Sequence, residues 1–301
     1  MADLIEGLRQ LGCRVMSKGQ FAPLVVQGPM SSGKTVVDGK DSQPVSALII
    51  AAAFATGPIE IFVRNPGEKP WVDMTLYWLD RLGIPYERKG YEWYRVEKGS
   101  YPGFVYTVPG DFSSAAFPIA AALITNSELS ISNLDFSDPQ GDKELISVLQ
   151  RMGAKIELSP GKVHVKEGSS LQGTDIDVNN IIDAVPILAV VACFAEGQTR
   201  LYNGAIARQK ESNRIRCIAT ELQKMGADVT EQEDGLVIRH SRLRGAHVHS
   251  YNDHRMAMSL SVAGLGATGV TTVGPCECVA KTYSSFVGDF QKIGAQIEAV
   301  L

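Results

Sequence analysis

The stretch Leu145–Ile156, LISVLQRMGAKI, decides the fold, because its pattern returns in four other places. Leu145, Leu149 and Met152 fall at i, i+4 and i+7, which puts them on one face of a helix. Gly153 follows at once and suits the left-handed turn that ends a helix. Ile156, three positions on, opens a run that predicts a strand. The same signals recur in LIEGLRQLGCRV (Leu4–Val15), TLYWLDRLGIPY (Thr75–Tyr86), IATELQKMGADV (Ile218–Val229) and FVGDFQKIGAQI (Phe286–Ile297). Their glycines are Gly12, Gly83, Gly226 and Gly294, and Thr75 is the one polar residue in the stripes. Polar turns follow three copies, at Arg88-Lys89-Gly90, Ser159-Pro160-Gly161 and Glu233-Asp234-Gly235, and predict hairpins.

Four segments of a second kind lie between these copies: Ser46–Phe62, Ala115–Ile131, Asp183–Tyr202 and Met256–Val273. Each reads as a helix rich in small apolar residues, a short turn and a strand. None has a polar face, so each helix is expected to be buried all round. The unit is helix, strand, helix, strand, strand. A block repeated in this way completes its core only against its neighbours. The fold class is α/β, or α+β in schemes that separate mixed sheets. A break at Pro109-Gly110 divides the chain into residues 1–109 and 110–301. The chain begins at the second helix of a unit, so the first domain is expected to be incomplete.

At 301 residues the chain can hold two domains, and its 45% hydrophobic and 21% charged content is ordinary for a globular protein. A net charge of −4 provides no broad basic surface, which argues against nucleic acid or an anionic membrane as partner. Any anionic ligand must therefore meet a local cluster of cations. The five cysteines are scattered, and Cys276-x-Cys278 offers at most two ligands, so neither a structural metal nor disulfides are expected. The N-terminus lacks the apolar core of a signal peptide. The most apolar run, Ala184–Ala195, is shorter than the ~20 residues that span a bilayer. A cytoplasmic protein is expected.

Several polar clusters carry candidate chemistry. Gly28–Thr35, GPMSSGKT, matches the phosphate-cradling G-x-x-x-x-G-K-T pattern, which must open a helix to work. Here it joins two strand-like runs, LVVQG and TVVDG, and predicts a hairpin turn; nucleotide binding is the weaker alternative. Asp183 precedes an apolar helix, where it either complements the helix dipole or serves as a partly buried general base. Arg208–Arg214, RQKESNR, gathers cations ahead of an amphipathic helix, against the dipole, which suggests an anion to bind. Lys210 and Arg214, four apart, share a face if the helix already covers both. Tyr251–Met258, YNDHRMAM, and Lys281-Thr282 place further polar groups at helix starts. Gln43, Asp111, Asp183, Arg214, His254 and Lys281 recur near such starts in successive copies. Stacked repeats would aim them at one pocket for a multiply charged anion.

YNDHRMAM, RQKESNR, CVAKTYSSF (Cys278–Phe286) and GDFSSAAF (Gly110–Phe117) together resemble signatures of the EPSP synthase family, in order along essentially the whole chain. The related UDP-N-acetylglucosamine enolpyruvyl transferases have a different cysteine-bearing loop, with no match here, and are the weaker family alternative. The resemblance covers the family's C-terminal two-thirds. It implies the enolpyruvyl transferase fold, two domains of such units. It also implies transfer of the enolpyruvyl group of phosphoenolpyruvate to the 5-hydroxyl of shikimate 3-phosphate, without metal or organic cofactor.

The resemblance further implies that residues 1–109 form the shikimate 3-phosphate side and 110–301 the catalytic domain. Asp183 would take the hydroxyl proton, and Glu211, assisted by Lys210, would move a proton at the methylene. Gln43, Arg214, His254, Arg255 and Lys281 would bind phosphoenolpyruvate. Ser42, Gln43, Asp183 and Lys210 would contact shikimate 3-phosphate.

The sequence departs from the family pattern. The N-terminal substrate-binding motifs are not found, and Asp41, Glu68, Trp71, Ile206 and Asn213 stand where a serine, a serine, a tyrosine, an asparagine and an aspartate are usual. Acids at phosphate-facing positions are expected to weaken binding of shikimate 3-phosphate. The chain alone is therefore expected to be incomplete as a catalyst. An N-terminal fragment of the same enzyme as partner, or a non-catalytic relic, is the alternative.

Overall fold

The structure, a computed structural model, describes residues 1–300. The chain forms two compact units: residues 1–108 with 139–141, and residues 109–138 with 142 onward.

The first unit runs α1 (Ala2–Gln10), β1 (Arg14–Lys18), β2 (Phe21–Gln27), β3 (Gly33–Asp38), α2 (Ser42–Ala52), β4 (Ile59–Arg64), α3 (Lys69–Leu82), β5 (Tyr86–Lys89) and β6 (Trp93–Val96). Its main sheet has the order β3-β4-β6-β5, with β3 parallel to β4 and the other pairs antiparallel. Leu48, Ile49, Ile59, Ile61, Leu79 and Tyr94 form the centre of its core.

The second unit runs α4 (Phe112–Ile124), β7 (Leu129–Ser132), α5 (Glu144–Arg151), β8 (Ile156–Ser159), β9 (Lys162–Val165), β10 (Asp175–Asp177), α6 (Val185–Cys193), β11 (Gln198–Tyr202), α7 (Arg214–Lys224), β12 (Asp228–Gln232), β13 (Gly235–Arg239), β14 (His247–His249), α8 (His254–Gly266), β15 (Thr272–Gly274) and α9 (Phe286–Lys292). The sheet β10-β11-β13-β12 repeats the strand order and directions of the first unit's main sheet. The sheet β7-β9-β8 repeats it without the parallel edge strand, and β14 with β15 supplies that parallel pair alone.

The amphipathic copies became α1, α3, α5, α7 and α9, and their five glycines all have positive φ, from 70° at Gly83 to 95° at Gly294. Gly153 shows why the residue type is required: a Cβ there would lie 2.5 Å from the Ser170 carbonyl oxygen. The small-residue copies became α2, α4, α6 and α8. Every residue of α6 is buried, and α8 packs against both α4 and α6. Removing each large side chain of such a helix from water contributes about 1.5–3 kcal/mol.

The three polar turns close the hairpins β5-β6, β8-β9 and β12-β13. Three expectations fail. α2 is not buried all round: α1 and α3 pack against it but leave Ile50 exposed. The Gly28–Thr35 segment is not a hairpin turn: β2 pairs with β1, and β3 pairs with β4. Ser31 N–H donates to the Leu11 carbonyl and Ser32 N–H to Thr56 Oγ1, which ties the connection to other elements. The segment does enter a strand and not a helix, so its amides lack the alignment a phosphate cradle needs. The final copy, after Gly294, forms no strand among the described residues. The short strands β10 and β14 were not expected; each is three residues long, too short for an alternating pattern to register.

Candidate functional site

Arg214 is the first residue of α7 and is 1% exposed, a position in which a lone guanidinium would be untenable. Three carboxylates surround it. Its Nε donates to Asp253 Oδ2 at 2.8 Å, Nη1 to Asp183 Oδ1 at 2.7 Å, and Nη2 to Glu211 Oε2 at 2.7 Å and Asp253 Oδ1 at 3.3 Å. The planar fork of arginine permits this many directed bonds at once.

Each carboxylate is held by a different local device. Asp183 lies in a 3-10 turn, Asn179–Ala184, that leads into α6. Asp253 caps α8 by accepting from the Arg255 N–H at 2.9 Å, and it also accepts from Ser212 Oγ at 3.0 Å. Glu211 lies on the loop before α7, whose N-cap is Asn213. That helix starts at Arg214, so Lys210 lies outside it in extended backbone. The shared helical face expected for Lys210 and Arg214 does not form. Lys210 still helps to stabilise the charge of Asp183.

Two further cations complete the array. Arg255 Nη2 lies 2.9 Å from Asp183 Oδ2 and donates to Ser113 Oγ at 3.1 Å. Lys281, in a 3-10 turn before α9, donates to Glu211 Oε1 at 2.8 Å and keeps 60% of its side chain exposed. Burial alone would raise the Asp183 pKa, but Arg255 and Arg214 outweigh it and hold the group below the ordinary aspartate range. Glu211 follows the same logic: burial opposes ionisation, and Lys281 with Arg214 brings it down to about 2. Burial and the neighbouring Arg255 lower the His254 pKa, which favours a neutral ring at pH 7. Its Nδ1 is buried without a hydrogen-bond partner, 4.0 Å from Glu211 and 3.9 Å from Asp253.

The second unit thus gathers Asp183, Glu211, Arg214, His254, Arg255 and Lys281 into one array. Arg214, for which the resemblance implies phosphoenolpyruvate binding, directs its donors to three carboxylates. Asp253 and Ser113 were not assigned roles from sequence. The N-cap pattern of an aspartate before HRMAM was the available signal for the first. Asp111, another N-cap, accepts from the N–H and hydroxyl groups of Ser113 and Ser114 at 2.6–3.1 Å.

In the first unit, Ser42 and Gln43 open α2. Ser42 is buried, and its N–H and Oγ both donate to Glu68 Oε2, at 3.0 and 3.1 Å. Asp41 caps the helix by accepting from the Gln43 N–H at 3.0 Å. The two unusual acids therefore bind the helix start themselves. Among the described residues there is no group of three or more histidines, cysteines or acids placed to hold a metal ion, and no helix is long and apolar enough to cross a membrane.

Residues 1–290 match the family of EPSP synthase, 3-phosphoshikimate 1-carboxyvinyltransferase. A 3-phosphoshikimate 1-carboxyvinyltransferase of Acetivibrio thermocellus is 43% identical over 300 residues, covering 99% of this chain and 71% of the relative. One from Chlamydia muridarum is 45% identical over 298 residues, covering 98% and 67%. Among solved structures, EPSP synthase from Acinetobacter baumannii superposes with a TM-score of 0.82 at 29% identity, over 100% of this chain and 72% of that one. The enolpyruvyl transferase NikO of Streptomyces tendae has the same fold, with a TM-score of 0.77 at 18% identity over 98% and 71%.

Proposed function

The chain belongs to the EPSP synthase family, and on that premise we propose that it transfers the enolpyruvyl group of phosphoenolpyruvate to the 5-hydroxyl of shikimate 3-phosphate. The observation that supports this most is the ion-pair array Arg255–Asp183–Arg214–Glu211–Lys281. It holds two carboxylates suited to proton transfer, each paired with cations that an anionic substrate can claim.

Asp183 takes the proton of the 5-hydroxyl as that oxygen attacks the central carbon of phosphoenolpyruvate. Glu211 delivers a proton to the methylene carbon during addition and removes one from the resulting methyl during elimination, when the C–O bond to phosphate breaks and phosphate leaves with the proton that Asp183 had taken. At a pKa of about 2, Glu211 in the resting array is a poor donor. Phosphoenolpyruvate corrects this. Its carboxylate and phosphate draw Arg255 and Lys281 to themselves, and Asp183 and Glu211 then lose the cations that hold their proton affinity down. Binding therefore tunes the catalysts. Lys210 and His254 border the same groups, and Arg214 keeps both carboxylates aligned.

In the first unit, Gln43 is assigned to shikimate 3-phosphate. Ser42 can contribute once its hydroxyl exchanges Glu68 for the ligand. Partnership with a separate fragment belongs to the same proposal, since the chain spans about 71% of the Acetivibrio relative. The test is phosphate release from phosphoenolpyruvate and shikimate 3-phosphate, with the chain alone and with a fragment covering the rest of such a relative. Release that Asp183→Asn and Glu211→Gln abolish supports the reading. No release in either arm, or wild-type turnover by Asp183→Asn, overturns it.

A further inference from the structure

Behind the array, Asp142 is 2% exposed in the 3-10 turn Gly141–Lys143 that leads into α5, and neither of its carboxyl oxygens accepts a hydrogen bond. A buried carboxyl without partners is costly and therefore informative. It lines a small cavity with Ser113, Ala116, Leu145, Ala184 and Arg255. Arg255 brings a complementary feature to that cavity: its Nε is buried and also has no partner, while its Nη2 holds Asp183. An unpartnered acceptor and an unpartnered donor thus line the same cavity, beside the group assigned as the base.

We propose that Asp142 is a positioning residue that receives Arg255 through its Nε when Asp183 is protonated, and so keeps the guanidinium in the site through the proton transfer. This rests on the role of Asp183 given above. Phosphoenolpyruvate draws Arg255 partly away from Asp183, and when the substrate hydroxyl gives its proton to Asp183 the rest of that ion pair is lost, so the guanidinium needs a second anchor on its Nε side. The charged groups that bear on Asp142 are Asp183 before α6, Arg255 on α8 and Asp111 at the start of α4. Lys143, its chain neighbour, is turned away onto the carbonyls of Phe136 and Asp138.

Burial first, then repulsion from Asp183, raises the Asp142 pKa to about 7, against the attraction of Arg255. Protonation of Asp183 removes that repulsion, so Asp142 ionises more readily as Asp183 is neutralised. Near neutrality Asp142 therefore titrates beside an ionised Asp183, with Arg255 bearing on both.

The experiment is a carbon-13 titration of the chain labelled at aspartate carboxyls, with Asp142→Asn and Asp183→Asn used for assignment. One carboxyl should titrate with a midpoint of about 7 and vanish in Asp142→Asn. The Asp183 signal should show an inflection at the same pH in the wild type and lose it in Asp142→Asn. In the transfer assay, Asp142→Asn should remove the inflection near pH 7 from the kcat profile while KM for phosphoenolpyruvate stays within about twofold, a change within 0.5 kcal/mol. Asp142→Leu should lower kcat at every pH. Ordinary titration of Asp142, or an Asp183 signal indifferent to it, overturns the proposal. If the wild type shows no turnover, the functional reading falls, and the titration alone decides the role of Asp142.

Discussion

The starts of α2 and α8 use the same device toward different ends. Each is capped by an aspartate, Asp41 and Asp253, whose carboxylate accepts from an N–H of the first turn. At α2 a second acid, Glu68, also binds the helix start, through the backbone and hydroxyl of Ser42. At α8 the capping acid is instead embraced by Arg214, and through Arg214 it joins two further acids and two further cations. A helix start attracts negative charge in either case. Whether that charge comes from a ligand or from the protein depends on the surrounding side chains. The first region supplies its own anions, while the second supplies exchangeable pairs.

The contrast can be broken most severely at Arg214. Arg214→Met should cost about 3–5 kcal/mol, because it leaves three carboxylates without their common partner. Urea unfolding would show this as a lower midpoint, and transfer should be lost with it. Asp183→Asn should keep the fold yet lower kcat by ~10²–10⁴, the usual contribution of a general base. Circular dichroism unchanged with kcat also unchanged would remove Asp183 from the mechanism.

The next effect is on acid stability. The Glu211 pKa is lowered from 4.5 to about 2, so its contribution is present above pH 4.5 and lost as pH falls through 2. The Asp142 pKa is raised from 3.8 to about 7, and its contribution has the opposite sign: present below 3.8 and lost as pH rises through 7. Glu211→Gln should therefore flatten the acid limb of a stability profile, and Asp142→Asn the limb between pH 4 and 7. The smallest effects belong to the first region. Asp41→Ala should cost ~1 kcal/mol as a lost cap. Glu68→Gln keeps an acceptor but removes a charge, and should alter stability by less while lowering the KM for shikimate 3-phosphate. A KM unaffected by Glu68→Gln would separate the start of α2 from substrate binding.

What the sequence revealed, and what it hid, follows the range of the forces involved. The stripe Leu145-Leu149-Met152 and the terminus at Gly153 lie within one helical turn or two, so local pattern sufficed to place α5 and its four counterparts. The apolar run of α6 declared its burial in the same way. The partners of Arg214 could not be read so directly. Asp183 and Asp253 lie 31 and 39 residues away, and pairing across such distances is set by how the repeats stack. Asp142 was invisible for a related reason: in DPQGDKE it resembles any solvated acid ahead of a helix. The mistaken hairpin at Gly28–Thr35 came from judging two strand-like runs without the partners, β1 and β4, that claim them.

Because one guanidinium serves Asp183, Glu211 and Asp253 together, the three acids are not independent parameters of the site. Substituting any one of them changes the geometry and proton affinity offered to the others. Double-mutant cycles among them should show coupling on the order of 0.5–3 kcal/mol, as expected for members of one network. Measured singly, each acid will therefore report a large share of the same loss. The three effects will sum to more than the site contains.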